Sequence, residues 1–156
     1  MSVTLVVGGQ APEFELPDQT GRPRRLRDLL ADGPVVLFWY PIAMTSGCTR
    51  EACHFRDLGA EFARIGAQRV GISMDPVDKQ QQFAALHGFD YPLLADVDGV
   101  VAGQYGVRRG ALLGKLAPTR RVTYVIGTDR RILDVITGET KFTDHADKAL
   151  ATLGAG

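Results

Sequence analysis

Val35-Val-Leu-Phe-Trp-Tyr40-Pro41-Ile-Ala-Met-Thr45-Ser-Gly-Cys48-Thr-Arg-Glu-Ala-Cys53 is the stretch on which the reading of this chain turns. Its first six residues form a continuous apolar, β-branched and aromatic run halted by Pro41, which reads as a strand buried on both faces. Beyond Pro41 the period changes. Ala52, Phe55, Leu58, Phe62 and Ile65 recur at spacings of three and four, which predicts one amphipathic helix entered near Cys48 and ended near Gly66. A buried strand that turns into a helix is the repeating unit of an α/β sheet, where reaction sites lie at the carboxyl ends of strands. A cysteine in the first helical turn also meets unpaired backbone N–H groups and the positive end of the helix dipole. Both favour the thiolate, which is the nucleophilic form. Cys48 therefore reads as an activated nucleophile.

Cys53 needs a separate account. Five residues of helix separate the two Cα atoms by roughly 8–9 Å, whereas a disulfide tolerates at most about 7 Å. The two sulfurs cannot bond while the helix is intact. Either they never pair, or the first turn unwinds when they do.

On the N-terminal side, Gly9–Asp18 mixes an alternating Phe14/Leu16 pattern with prolines and predicts an irregular edge strand. Asp18–Gly21 follows as a turn, and Arg25–Leu30 as a short helical piece. On the C-terminal side, Arg69–Ser73 and Tyr91–Ala95 read as further buried strands. Asp78–His87 is predicted helical with Gly88 as its stop, and Val100–Tyr105 as a short helix closed by Gly106. Val122–Ile126 and Ile132–Ile136 flank Gly127-Thr-Asp-Arg-Arg131 as a hairpin, and Asp144–Leu153 ends the series as a helix. This order predicts an α/β fold with a mixed central sheet flanked by helices on both faces. It fits a thioredoxin-like core with an N-terminal extension, a single domain over residues 1–156.

The 156 residues are 45% hydrophobic and 23% charged, ordinary globular usage that excludes disorder and coiled coil. Eighteen basic and eighteen acidic side chains cancel, so no net charge draws the chain to nucleic acid or to a membrane. The cluster Arg22, Arg24, Arg25 and Arg27 reads as a solvated face. Met1–Val7 has no basic leader, and the apolar run Val35–Met44 is half the length of a membrane helix. A cytoplasmic protein is the expectation. With only two cysteines, a structural disulfide is not expected there, and a close pair points to metal or redox chemistry. His54, His87 and His145 are scattered without metal-ligand spacing, and Cys48, Cys53 and His54 make a poor zinc set.

Pro41-x-x-x-Thr45-x-x-Cys48 resembles the active-site motif of the peroxiredoxins, and a second cysteine five residues later resembles the bacterioferritin-comigratory (PrxQ) subfamily. The likeness extends over Gly9–Asp18, Gly71–Asp75, Tyr91–Asp96 and Arg121-Val-Thr-Tyr-Val-Ile126. What it implies is a thiol peroxidase acting on hydrogen peroxide and organic hydroperoxides. Cys48 would be peroxidatic and Cys53 resolving, closing an intrachain disulfide that thioredoxin or a similar dithiol reduces. No cofactor or metal is implied. Thr45 corresponds to the threonine whose hydroxyl contacts thiolate and peroxide, against a plain helix cap. Pro41 corresponds to the proline that shields the sulfur. Arg121 corresponds to the arginine beside the sulfur. Arg120 is the competitor: strand alternation puts Arg121 with Thr123 and Val125 and Arg120 with Val122 and Tyr124, and only the family pattern chooses between them. Glu51 would orient that arginine or serve as a first-turn helix charge. The apolar trio Ile42, Ala43 and Met44 departs from the family and suggests a taste for organic hydroperoxides. A monomer is expected, with a weak dimer through the active-site loops as the alternative.

Overall fold

The computed structural model describes residues 5–110 and 117–154. Met1–Thr4, part of the segment read above for a leader, lie outside them. The run that opened the reading is β3, Val35–Trp39, and every one of its residues is buried. Following it in the chain are β4 (Gln68–Ser73), β5 (Leu93–Ala95), β6 (Val122–Ile126) and β7 (Ile132–Thr137). The sheet order is β5-β4-β3-β6-β7. β3 runs parallel to β4 on one side and antiparallel to β6 on the other. It is the centre of a mixed sheet, as its uninterrupted apolar composition requires. β6 and β7 form the expected hairpin, with an irregularity between Val125 and Ile126.

Alternation along β3 feeds two cores. Val35, Leu37 and Trp39 pack on one face with α1 (Leu26–Leu30) and α5 (Val100–Gln104). Val36, Phe38 and Tyr40 pack on the other with α2 (Ser46–Asp57), α3 (Gly59–Arg64), α4 (Val77–His87) and α6 (Asp144–Gly154). Phe38 stacks on Phe55 of α2 with ring centroids 4.0 Å apart, so the strand and the following helix are locked face to face. Each such side chain taken out of water contributes about 1.5–3 kcal/mol. Helices on both faces of a mixed sheet are the thioredoxin-like α/β architecture expected.

One expectation is refined and another corrected. The N-terminal edge strand is short and lies outside the main sheet. β1 (Glu15–Pro17) pairs with β2 (Pro23–Arg25) in a separate two-stranded ribbon. Prolines at Pro17 and Pro23 keep this ribbon from joining a longer ladder. Part of the arginine cluster is used there: Arg24 pairs with the buried Asp18 at 2.9 Å and Arg25 with Glu15 at 3.2 Å, while Arg27 stays exposed. The single helix read from Cys48 to Gly66 is two. Leu58 leaves helical geometry (φ −92°, ψ 16°) between α2 and α3. Arg69 reaches from β4 to donate to the Phe55 and Arg56 carbonyls at 3.0 and 3.4 Å, satisfying acceptors at the end of α2. The apolar period ran through the break because Phe55 and Phe62 face the same core.

Candidate active site

α2 begins where the loop after β3 ends. Pro41 has no N–H to continue the ladder. The loop is held from β4: Asp75 accepts the Ala43 N–H at 2.8 Å and the Ser73 hydroxyl at 2.7 Å. Gln80 donates to Ser73 at 2.9 Å and to the Leu94 carbonyl at 2.8 Å, and it accepts the Tyr40 hydroxyl. Ala43 is consequently buried. Only half-buried Ile42 and exposed Met44 of the apolar trio can meet a substrate. Met44 has a positive φ of 68°, a conformation rarely taken by a residue with a side chain.

Thr45 is the N-cap of α2 and Cys48 the third residue of the helix. The Cys48 side chain is buried, with 1% of the residue exposed. Thr45 caps no backbone N–H with its side chain. Its hydroxyl donates instead to the Ile42 carbonyl at 2.8 Å, so the plain-cap reading does not hold. Cys53 lies half-buried on the same unbroken helix, and both cysteines are free thiols. Burial pushes the Cys53 thiol up from its ordinary value, with Arg56 working against this and Asp57 with it.

Arg121, just ahead of β6, settles the competition with Arg120. Its Nη2 lies 3.5 Å from Cys48 Sγ and its Nη1 donates to Glu51 Oε1 at 2.9 Å. Arg120 turns outward and donates to the Gly106 carbonyl. Three further contacts fix the guanidinium and its strand. Nε donates to the Glu139 carbonyl at 2.9 Å, the Arg121 N–H donates to the Glu139 carboxylate at 3.1 Å, and the ring of Phe142 lies 4.8 Å from the guanidinium carbon. Burial opposes the Arg121 charge, but Glu51 and Cys48 more than offset it, and its pKa rises.

Glu51 is fully buried in the second turn of α2. It is therefore not a first-turn charge in solvent but a carboxyl facing Arg121. Burial raises its pKa to about 8 despite the arginine, with Glu139 adding to the rise. His145, set aside in the sequence as a scattered histidine, is also fully buried here. It bonds Thr123 at 2.8 Å and the Gly138 carbonyl at 3.0 Å, and its pKa is lowered from 6.5 mainly by burial. Strand alternation already put Thr123 on the Arg121 face. Nothing in one sequence brings Glu139, Phe142 or His145 to the same place, because each reaches it through the β7–α6 crossing. Among the described residues no group of three or more His, Cys, Asp or Glu could hold a metal ion. No described helix is long and apolar enough to cross a membrane.

The site thus contains a buried thiol in a first helical turn, a guanidinium against its sulfur, and a second thiol on the same helix. Residues 7–135 match the AhpC/TSA family. A putative peroxiredoxin of Mycobacterium tuberculosis is 66% identical over 97% of each chain. Peroxiredoxin Bcp of Escherichia coli is 36% identical over 94% of each. Among solved structures, the peroxidoxin BcpB of M. tuberculosis superposes with a TM-score of 0.92 at 64% identity and 97% of each chain. A cysteine-to-serine mutant of PrxQ from Xylella fastidiosa gives 0.88 at 26% identity and 98% of each. The chain belongs to the AhpC/TSA family of thiol peroxidases, as a peroxiredoxin of the bacterioferritin-comigratory (PrxQ) kind.

Proposed function

We propose that the protein reduces hydrogen peroxide and organic hydroperoxides with Cys48 as the peroxidatic and Cys53 as the resolving cysteine. The observation that carries this is the 3.5 Å approach of the Arg121 guanidinium to Cys48 Sγ at the start of α2. A fixed cation and a helix N-terminus both favour thiolate, and the same cation stabilises charge developing on the departing oxygen. In the first step the thiolate attacks the terminal peroxide oxygen, and the O–O bond breaks. The leaving hydroxide or alkoxide takes up a proton, so the products are a sulfenic acid and water or an alcohol. Thr45 donates its hydroxyl hydrogen to Ile42, which leaves its oxygen lone pairs to accept from the peroxide hydrogen. Pro41 shields the sulfur side of the pocket.

Next, the Cys53 thiol condenses with the Cys48 sulfenic acid, releasing water and forming an intrachain disulfide. This step needs the start of α2 to unwind, because an intact helix holds the Cα atoms too far apart. A dithiol protein such as thioredoxin then returns both cysteines to thiols by exchange. Rim residues Ile42 and Met44 favour a hydroperoxide with an apolar tail. Working as one domain and one chain, the enzyme would serve as a cytoplasmic antioxidant that needs no cofactor.

The test is intact mass and free-thiol count after one equivalent of hydrogen peroxide. Loss of both thiols with a Cys48–Cys53 linkage, abolished by Cys48→Ser and reversed by reduced thioredoxin, is the expected result. Survival of both thiols overturns the reading. Side-by-side rates with cumene hydroperoxide and hydrogen peroxide test the substrate preference, which fails if hydrogen peroxide reacts faster.

A further inference from the structure

Behind the Cys48–Arg121 contact the fully buried Glu51 and His145 meet, and the cycle above assigns nothing to their meeting. Glu51 Oε1 is bonded to Arg121, but Oε2 is buried and has no hydrogen-bond partner among the described residues. It lies 3.6 Å from Nδ1 of His145. The His145 Nε2 faces the Gly138 carbonyl at 3.0 Å, so Nε2 carries a hydrogen, since a carbonyl can only accept. Nδ1 of the neutral ring is then a lone pair, to which the Thr123 hydroxyl donates at 2.8 Å. A bare carboxylate oxygen beside that lone pair is repelled unless a proton lies on one of the two atoms.

We propose that Glu51 and His145 hold a single proton between them, and that its loss turns part of the Arg121 charge away from Cys48. His145 is a positioning residue that acts through Glu51. While the proton is held, the pair is neutral overall, whether as acid with imidazole or as carboxylate with imidazolium. Once it leaves, a net negative charge faces Arg121 at 2.9 Å and competes with the sulfur at 3.5 Å for the same guanidinium. The two groups titrate as a unit. The other charged groups facing them are Arg121 ahead of β6, Glu139 after β7, Asp144 on α6 and Cys48 on α2. Tyr91, ahead of β5, also feels the Glu51 charge. Burial favours the neutral state of both Glu51 and His145. A second base gives the proton a second place to reside, so removing His145 releases it at lower pH.

This rests on the reading of Cys48 as the nucleophile, but its test uses no peroxide. In a Cys53→Ser background, the rate of Cys48 alkylation by iodoacetamide is followed against pH. His145→Gln is expected to move the alkylation midpoint up by about half a pH unit, a roughly threefold slower reaction below the midpoint. His145→Asn, whose amide keeps a partner for Thr123, is expected to do the same. Adding Glu51→Gln should cancel either shift, because His145 then has no carboxylate to act through. An unchanged midpoint in the histidine variants overturns the proposal, and so does a shift that persists with Glu51→Gln. The unsubstituted protein gives an independent reading by NMR. The step in which the pair loses its shared proton should be seen at one common midpoint by the His145 ring and the Glu51 carboxyl, and such a step seen by only one of them overturns the shared proton. A chain that fails to turn over peroxide can pass these tests, and an active peroxidase can fail them.

Discussion

Gly47 shows how closely the site is packed at the scale of one residue. A Cβ there would stand 2.6 and 2.8 Å from the Phe142 ring and 3.3 Å from Arg121 Nη2. In an exposed helix, Gly→Ala gains about 1 kcal/mol of propensity. Here the new methyl must push Phe142 off the guanidinium it covers. Gly47→Ala is therefore expected to keep the thermal midpoint within a few degrees while lowering kcat/KM for hydroperoxide about tenfold or more. Paired calorimetry and peroxidase assays check the separation, and an unchanged kcat/KM would show that Phe142 has no part in placing Arg121. Gly47 carries no mark of this in the sequence, because Phe142 lies 95 positions away. Glu51 and Arg121 were legible as residues of interest, and their mutual contact stood as one of two readings between which the structure chose.

At the scale of the element, α2 is fastened unevenly. Its second half is held by the Tyr91 hydroxyl donating to the Ala52 carbonyl at 2.7 Å, by Arg69 at the Phe55 and Arg56 carbonyls, and by the Phe38–Phe55 stack. Its first turn has no side-chain cap. Unwinding from the N-terminus should stop near Ala52, which frees Cys48 and leaves Cys53 at the edge of the retained helix. Amide hydrogen exchange of the reduced protein should show low protection through Glu51 and high protection from Cys53 to Arg56. Tyr91→Phe should carry the boundary further along the helix, with a stability loss of about 1 kcal/mol. Uniform protection along α2 would refute this asymmetry. The amphipathic period located the helix but missed its break at Leu58, because Arg69 is supplied by a different strand.

For the whole molecule, the buried acid and imidazole make stability depend on pH. Glu51 has a folded pKa of about 8 against 4.5 for an unperturbed carboxyl. Between those values the folded chain keeps a proton that the unfolded chain has lost. Its contribution is full below about 4.5 and is lost as pH rises through about 8. His145 acts in the opposite sense. Its folded pKa lies below 6.5, so the unfolded chain binds the proton first and stability falls as pH drops through that region. Above about 6.5 only the proton that Glu51 shares with His145 remains to be lost. Denaturant titrations should show stability falling on the order of 1–2 kcal/mol between about pH 6.5 and 8. Glu51→Gln should flatten this slope, and a variant with the parent slope would assign it elsewhere.

The central strand, the helix that follows it, the hairpin and the Pro-Thr-Cys spacing are local patterns. Periodicity and backbone chemistry act over a few residues, and a chain read in order displays them. That is why the mixed sheet with helices on both faces and the spacing of the two cysteines on one helix could be read from the sequence alone. The choice of Arg121 over Arg120 by geometry, the burial of Glu51 and the entry of His145 depend on contacts spanning tens of residues. They exist only after β6 and β7 pair and α6 folds back over α2, where a low dielectric and fixed distances give each charge its partner.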